Sequence, residues 1–141
     1  CPSNCDRSCT DCLRHYKNQF WHTNLDRFIG AALLRYLING VLPEIDTVKG
    51  QSEKLLALKR LLELDGYNVV SAKNGIPLIV DGKKQKLAVG THHSLYDPNN
   101  VRDHHPLLTH SIGMKVYVAN EYLLTRNLPL VYNRIKSILE A

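Results

Sequence analysis

Residues 67–90 read YNVVSAKNGIPLIVDGKKQKLAVG, and this stretch decides the fold class. Three β-type runs, Tyr67 to Ser71, Ile76 to Val80 and Lys86 to Gly90, are separated by the turn dipeptides Asn74-Gly75 and Asp81-Gly82. Asn-Gly and Asp-Gly supply the positive φ angles that tight hairpins need, so the spacing predicts a meander of three strands. On the N-terminal side, Ser52 is placed to cap a helix whose Leu55, Leu58, Leu61, Leu62 and Leu64 recur at helical spacing before Gly66 stops it. Earlier still, Thr23 or Asn24 caps a helix, with Asp26 in a capping-box position. Leu25, Phe28, Ile29, Ala32, Leu33, Tyr36 and Leu37 follow on one face, and Gly40 is the stop.

On the C-terminal side, residues Thr91 to Gly113 carry five histidines and two prolines without periodicity and read as a long connection. Met114 to Ala119 reads as a further strand. Pro129 then opens a terminal helix with Val131, Ile135, Ile138 and Leu139 on one face. The expected fold is α+β: a small, mostly antiparallel or mixed sheet covered by three helices. At 141 residues the chain suffices for one such core and an appendage. Residues 1–22 read as a cysteine knuckle and bridging segment, and 23–141 as the α/β body, together one structural domain. A chain that opens on cysteine rather than methionine reads as a piece of a longer polypeptide.

All four cysteines, Cys1, Cys5, Cys9 and Cys12, fall in the first twelve residues as C-x3-C-x3-C-x2-C. Such clustering suggests one tetrahedral thiolate site, and structural zinc suits it. An iron–sulfur cluster also takes four cysteines, and spacing alone does not exclude it. Two disulfides would close loops too short to constrain the unfolded chain much. A closed shell of four thiolates leaves no position for water, so such a metal holds structure rather than performing hydrolysis. Ser8, Thr10, Arg7 and Arg14 are placed to donate to, or offset charge on, the thiolates. Cysteines committed to metal imply a reducing, cytoplasmic setting.

Eighteen Lys and Arg against thirteen Asp and Glu give a net charge of +5, which permits phosphate contact without demanding it. No run approaches the roughly eighteen apolar residues of a membrane span. The segment Arg14 to His22 mixes cations, amides and aromatics. Arg14, Lys17, Gln19 and Trp21 are therefore candidates for nucleic-acid contact, with Lys83, Lys84 and Lys86 as a second basic patch. The competing reading makes Phe20 and Trp21 anchors of the knuckle on the first helix and the lysines a solvated turn. The pairs His92-His93 and His104-His105, with His110 and Asp97, invite a second metal site, but adjacent strand residues point to opposite faces. Asp81-Gly82-Lys83 offers the D-x-K of a divalent-metal nuclease, with the histidine loop as its complement, although a hairpin turn explains the same residues. No glycine-rich phosphate loop or nucleophile elbow is present.

The run Ser8-Cys9-Thr10-Asp11-Cys12-Leu13-Arg14-His15-Tyr16-Lys17-Asn18-Gln19, followed by His22 and Leu25-Asp26-Arg27, resembles the four-cysteine zinc-binding domain at the C-terminal end of certain bacterial superfamily-two DNA helicases. That domain occurs in mitomycin-repair helicases and in the DrmB component of the DISARM anti-phage system. The resemblance is sharpest over the first 27 residues and continues more weakly through Val89-Gly90-Thr91-His92-His93-Ser94-Leu95 and Val116-Tyr117-Val118 to Leu124 and Pro129. Ser94 stands where relatives have proline, and Phe20-Trp21 widens the gap before His22. The resemblance implies Cys1, Cys5, Cys9 and Cys12 as zinc ligands. It also implies a noncatalytic role in antiviral defence or DNA repair, bracing or regulating a helicase core in the same polypeptide or a partner subunit on DNA. The alternatives are a nuclease using Asp81 and Lys83, and a protein-interaction module without DNA contact.

Overall fold

The computed structural model describes the whole chain except the side chains of Arg102 and Asp103. The chain divides into two compact units, Cys1–Pro43 and Glu44–Ala141.

The first unit holds the cysteine knuckle, a short 3-10 segment at Tyr16–Trp21 and one regular helix, α1, at Arg27–Asn39. Asp26 rather than Thr23 or Asn24 caps α1, its carboxylate accepting from the Phe28 and Ile29 amides at 2.9 and 3.2 Å. Gly40, at φ 71°, ends the helix in the left-handed conformation that glycine adopts without penalty. The sequence pattern put this helix with the α/β body. The structure groups it with the knuckle, because Arg27 at its first turn is bonded to knuckle carbonyls.

The second unit is built on four strands in the order β1 (Asn68–Lys73), β2 (Ile76–Asp81), β3 (Lys86–His92) and β4 (Lys115–Asn120). The first three form the expected antiparallel meander, and β4 joins β3 in parallel, so the sheet is mixed. Asn74 and Gly75 both take positive φ, 51° and 77°, as a two-residue hairpin requires. Asp81 is the last residue of β2, paired with Lys86. The second turn is a longer loop closed by the Gly82 amide on the Gln85 carbonyl.

Alternation along β2 and β3 explains their apolar runs. Leu78, Val80, Leu87 and Val89 join one core cluster, and Ile79 and Ala88 a smaller one on the opposite face. The larger cluster is completed by Leu55, Leu58 and Leu62 and by Val131, Ile135 and Leu139. Their helices are α2 (Val48–Lys54) with α3 (Leu56–Leu64), and, after a long connection, α6 (Glu121–Arg126) with α7 (Leu128–Glu140). The helix expected to start at Ser52 instead begins under Thr47, whose hydroxyl accepts from the Gly50 amide at 3.2 Å. Ser52 lies inside α2 and donates to the Val48 and Pro77 carbonyls, tying helix to sheet. Leu61 and Leu64 point outward.

The connection between β3 and β4 contains two short helices, α4 (Pro98–His104) and α5 (Leu107–His110), that periodicity does not announce. Asp97 caps α4 through the Asn99 amide at 3.0 Å. Leu107 of α5 plugs the smaller core cluster beside Ile76, Ile79 and Ala88. Among the described residues no helix is long and apolar enough to cross a membrane.

Candidate metal centre and the other predicted sites

The four cysteine sulfurs converge. All lie within 4.8 Å of one another, and none forms a disulfide. Cys1 and Cys9 Sγ are 3.5 Å apart, Cys5 and Cys12 3.7 Å, and Cys9 and Cys12 3.8 Å. Bonded sulfurs would be about 2.0 Å apart. Four sulfurs each about 2.3 Å from one central ion stand about 3.8 Å from each other, the edge of a tetrahedron, and the observed spacings match it. They are too close to surround a polynuclear iron–sulfur cube.

The backbone builds this geometry. Between Cys9 and Cys12 the chain turns tightly: the Cys9 carbonyl accepts from the amides of Cys12, Leu13 and Arg14 at 3.2, 3.2 and 2.9 Å. The Cys9 amide in turn donates to Cys12 Sγ at 3.2 Å. That N–H pulls the Cys12 thiol below its ordinary value, whereas loss of hydration, reinforced by the Cys12 and Cys9 thiols, pushes Cys5 up. Cys12 is therefore the sulfur whose anion the backbone already favours.

Three further contacts lock the knuckle. The Arg27 guanidinium donates twice to the Cys5 carbonyl, from Nε at 3.1 Å and Nη2 at 2.8 Å, and the Arg27 amide donates to the Arg7 carbonyl at 2.9 Å. Arg14 Nε donates to the buried Ser8 hydroxyl at 2.9 Å, so Arg14 and Ser8 serve each other rather than the sulfurs. Asn18 is the hub of the bridging segment. Its Oδ1 accepts from the His15 amide and from His22 Nε2, both at 2.9 Å, while its Nδ2 donates to the Leu13 carbonyl at 2.8 Å. His22 Nε2 also approaches the His15 carbonyl, so that nitrogen carries the proton. Residue spacing does not announce these roles of Arg27, Asn18 and His22. Their one signal in the sequence is that all three fall within the runs that carry the zinc-domain resemblance.

The predicted nucleic-acid residues fall in both units. In the first, Lys17 and Gln19 are exposed, and Tyr16, Phe20 and Trp21 expose 83, 85 and 63% of their surface. Phe20 and Trp21 are thus not the anchors that the competing reading made them. In the second, Lys83, Lys84 and Lys86 are exposed, with Lys86 paired to Asp81 at 3.3 Å and Lys84 Nζ reaching the Glu140 carbonyl at 3.4 Å.

The nuclease arrangement does not assemble. Asp81 pairs with Lys86 at the start of β3, while His92 ends that strand, six residues or about 20 Å away. Among the described residues the cysteine quartet is the only group of three or more Cys, His, Asp and Glu placed to share an ion. His105 has a structural role instead. Buried His105 donates from Nε2 to the Thr91 carbonyl at 3.0 Å and accepts the Leu107 amide on Nδ1 at 3.1 Å, pinning the connection onto β3. Beside it, Gln51 Oε1 accepts the Thr91 amide at 2.9 Å. Gly90 makes that approach possible: a Cβ there would lie 3.0 Å from both Gln51 Oε1 and His105 Cε1.

No protein-family model matches the chain, and no solved structure matches it. Druantia protein DruE of Escherichia coli (strain UMEA 4076-1) is 39% identical over 138 residues, covering 96% of this chain and 7% of DruE. The chain thus spans 7% of the length of the curated relative it matches.

Proposed function

We propose that this chain is a noncatalytic zinc-binding accessory domain of a much larger anti-phage defence protein, where it braces or regulates a helicase-type motor on DNA. The observation that carries this reading is the sulfur quartet. Four thiols at tetrahedral spacing, on a backbone that already donates to one of them, fit a coordinatively closed structural ion. Zinc is the ion of choice because it takes four thiolates without redox change. Two likenesses support the defence setting: the knuckle's resemblance to a DISARM component, and the 39% identity to a Druantia protein over nearly the whole chain. DNA contact would fall to Lys17, Gln19 and the exposed Trp21, a cation and aromatic set beside the metal, with Lys83, Lys84 and Lys86 in the other unit.

The test is made in the intact parent protein. Paired Cys9→Ser and Cys12→Ser changes should remove the metal and abolish phage protection and any DNA-stimulated ATP hydrolysis, while ATP hydrolysis without DNA persists. Full protection by the metal-free variant would overturn the reading. Sustained DNA cleavage by the chain, lost on Asp81→Ala, would instead make it a nuclease.

A further inference from the structure

A cavity of about 510 Å³ runs along the outer side of β4, which is an edge strand, and no part of the proposed function uses it. That volume lies within the range of small-ligand sites. Among the described residues lining it there is one cation, Arg134, and no carboxylate. Arg134 is exposed and forms no ion pair among the described residues.

Two polar side chains in the wall have donor or acceptor capacity left over. His92 is 3% exposed; its Nδ1 donates to the His93 carbonyl at 2.9 Å, which leaves Nε2 as an acceptor without a partner among the described residues. Asn120 uses Oδ1 twice, accepting the Tyr122 amide at 2.9 Å and the Ser94 hydroxyl at 3.2 Å, which leaves Nδ2 as a donor. Both residues sit at the C-terminal ends of the parallel pair, where His92 stands opposite Asn120. Crevices beyond the carboxyl ends of parallel strands are where α/β sheets commonly receive ligands. The remaining wall is apolar and aromatic, with Tyr117, Val118 and Ile138.

From this we infer that the cavity binds a nucleotide bearing a terminal phosphate. The guanidinium of Arg134 and the Asn120 amide receive the phosphate, the base lies against Tyr117 and Val118, and His92 Nε2 accepts an N–H of the base. A guanidinium beside a neutral amide donor, with no carboxylate among the described lining residues, selects an anion. The aromatic and aliphatic wall favours one that carries a flat apolar body over inorganic phosphate. The ligand is either a free nucleotide or the 5′-phosphorylated end of a DNA strand, which present the same chemistry.

The probes are thymidine 5′-monophosphate, thymidine, inorganic phosphate, and a short oligothymidylate with either a 5′-phosphate or a 5′-hydroxyl. Binding is read by calorimetry and by NMR of the His92 ring and Arg134 side chain. The monophosphate should bind at least about tenfold more tightly than either of its parts and shift both signals. Arg134→Glu, on an exposed helical position, should abolish that binding without changing the melting temperature. His92→Phe should weaken it about tenfold, the loss of one hydrogen bond to the base. Tighter binding of the 5′-phosphorylated oligonucleotide than of the mononucleotide would assign the site to strand ends, and exclusion of the oligonucleotide to free nucleotides; both support the inference. It is overturned if the monophosphate does not bind, or if its binding ignores both substitutions. It is also overturned if only an extended peptide perturbs this region, through the β4 amides, because strand addition would then be the use of this edge.

Discussion

Arg27 and Cys5 are joined by two hydrogen bonds, the guanidinium Nε and Nη2 reaching the Cys5 carbonyl at 3.1 and 2.8 Å, so the start of α1 holds the second cysteine of the quartet in place. The same guanidinium lies 4.1 Å from the Phe28 ring centroid, which fixes its plane. Lysine has no matching fork. Arg27→Lys and Arg27→Ala should therefore both weaken metal retention, by about 10- to 100-fold for alanine, as removal of an outer support of a metal ligand does. Competition with a chromophoric chelator measures this, and unchanged retention in Arg27→Ala would mean that the Cys5 loop is held by its sulfur alone.

Gly90 is packed on three sides. A Cβ would lie 3.0 Å from Gln51 Oε1, 3.0 Å from His105 Cε1 and 3.1 Å from Leu107 Cδ2, so Gly90→Ala forces apart the network that seats the β3 to β4 connection. Overpacking of this kind costs about 1–3 kcal/mol. Urea denaturation should show a lower midpoint with an unchanged slope.

His105 links stability to pH. Burial holds its pKa below the ordinary imidazole value; the hydrogen bond to Thr91 opposes this in part, and the nearby His92 charge adds to it. Its Nδ1 accepts the Leu107 amide, a bond that the protonated ring cannot make. With the folded value depressed, the unfolded chain binds the proton first. The histidine's contribution is thus complete above about pH 6.5 and is lost as the pH falls toward the folded value. The urea midpoint should drop between about pH 7.5 and pH 5.5, and His105→Gln should drop less over the same interval. Equal pH dependence in the two proteins would contradict the assignment.

The turn dipeptides made β1, β2 and β3 legible, because Asn-Gly and the Asp81-Gly82 break fix where strands stop to within a residue or two. The cysteine spacing made the convergence of the four sulfurs legible for a related reason: a short loop leaves them little choice of where to go. Elements whose existence depends on distant partners were not readable. Helices α4 and α5 carry no periodic stripe and are held by the Asp97 cap, the plug of Leu107 and the His105 bridge to Thr91. Ser52 suggested a helix start on local grounds, but its hydroxyl bonds the Pro77 carbonyl 25 residues away and the helix begins a turn earlier. Arg27 reads as an ordinary surface cation until the Cys5 carbonyl is seen beside it. The grouping of α1 with the knuckle follows from that contact and from no pattern in the helix itself.

Whether one ion is held by all four sulfurs is tested most directly by X-ray absorption at the metal edge, combined with elemental analysis of protein purified under reducing conditions. The prediction is one zinc per chain with four sulfur neighbours at about 2.3 Å and none beyond them. Iron at the site, nitrogen or oxygen in the coordination shell, or a metal-free folded chain with sulfur–sulfur bonds would contradict it.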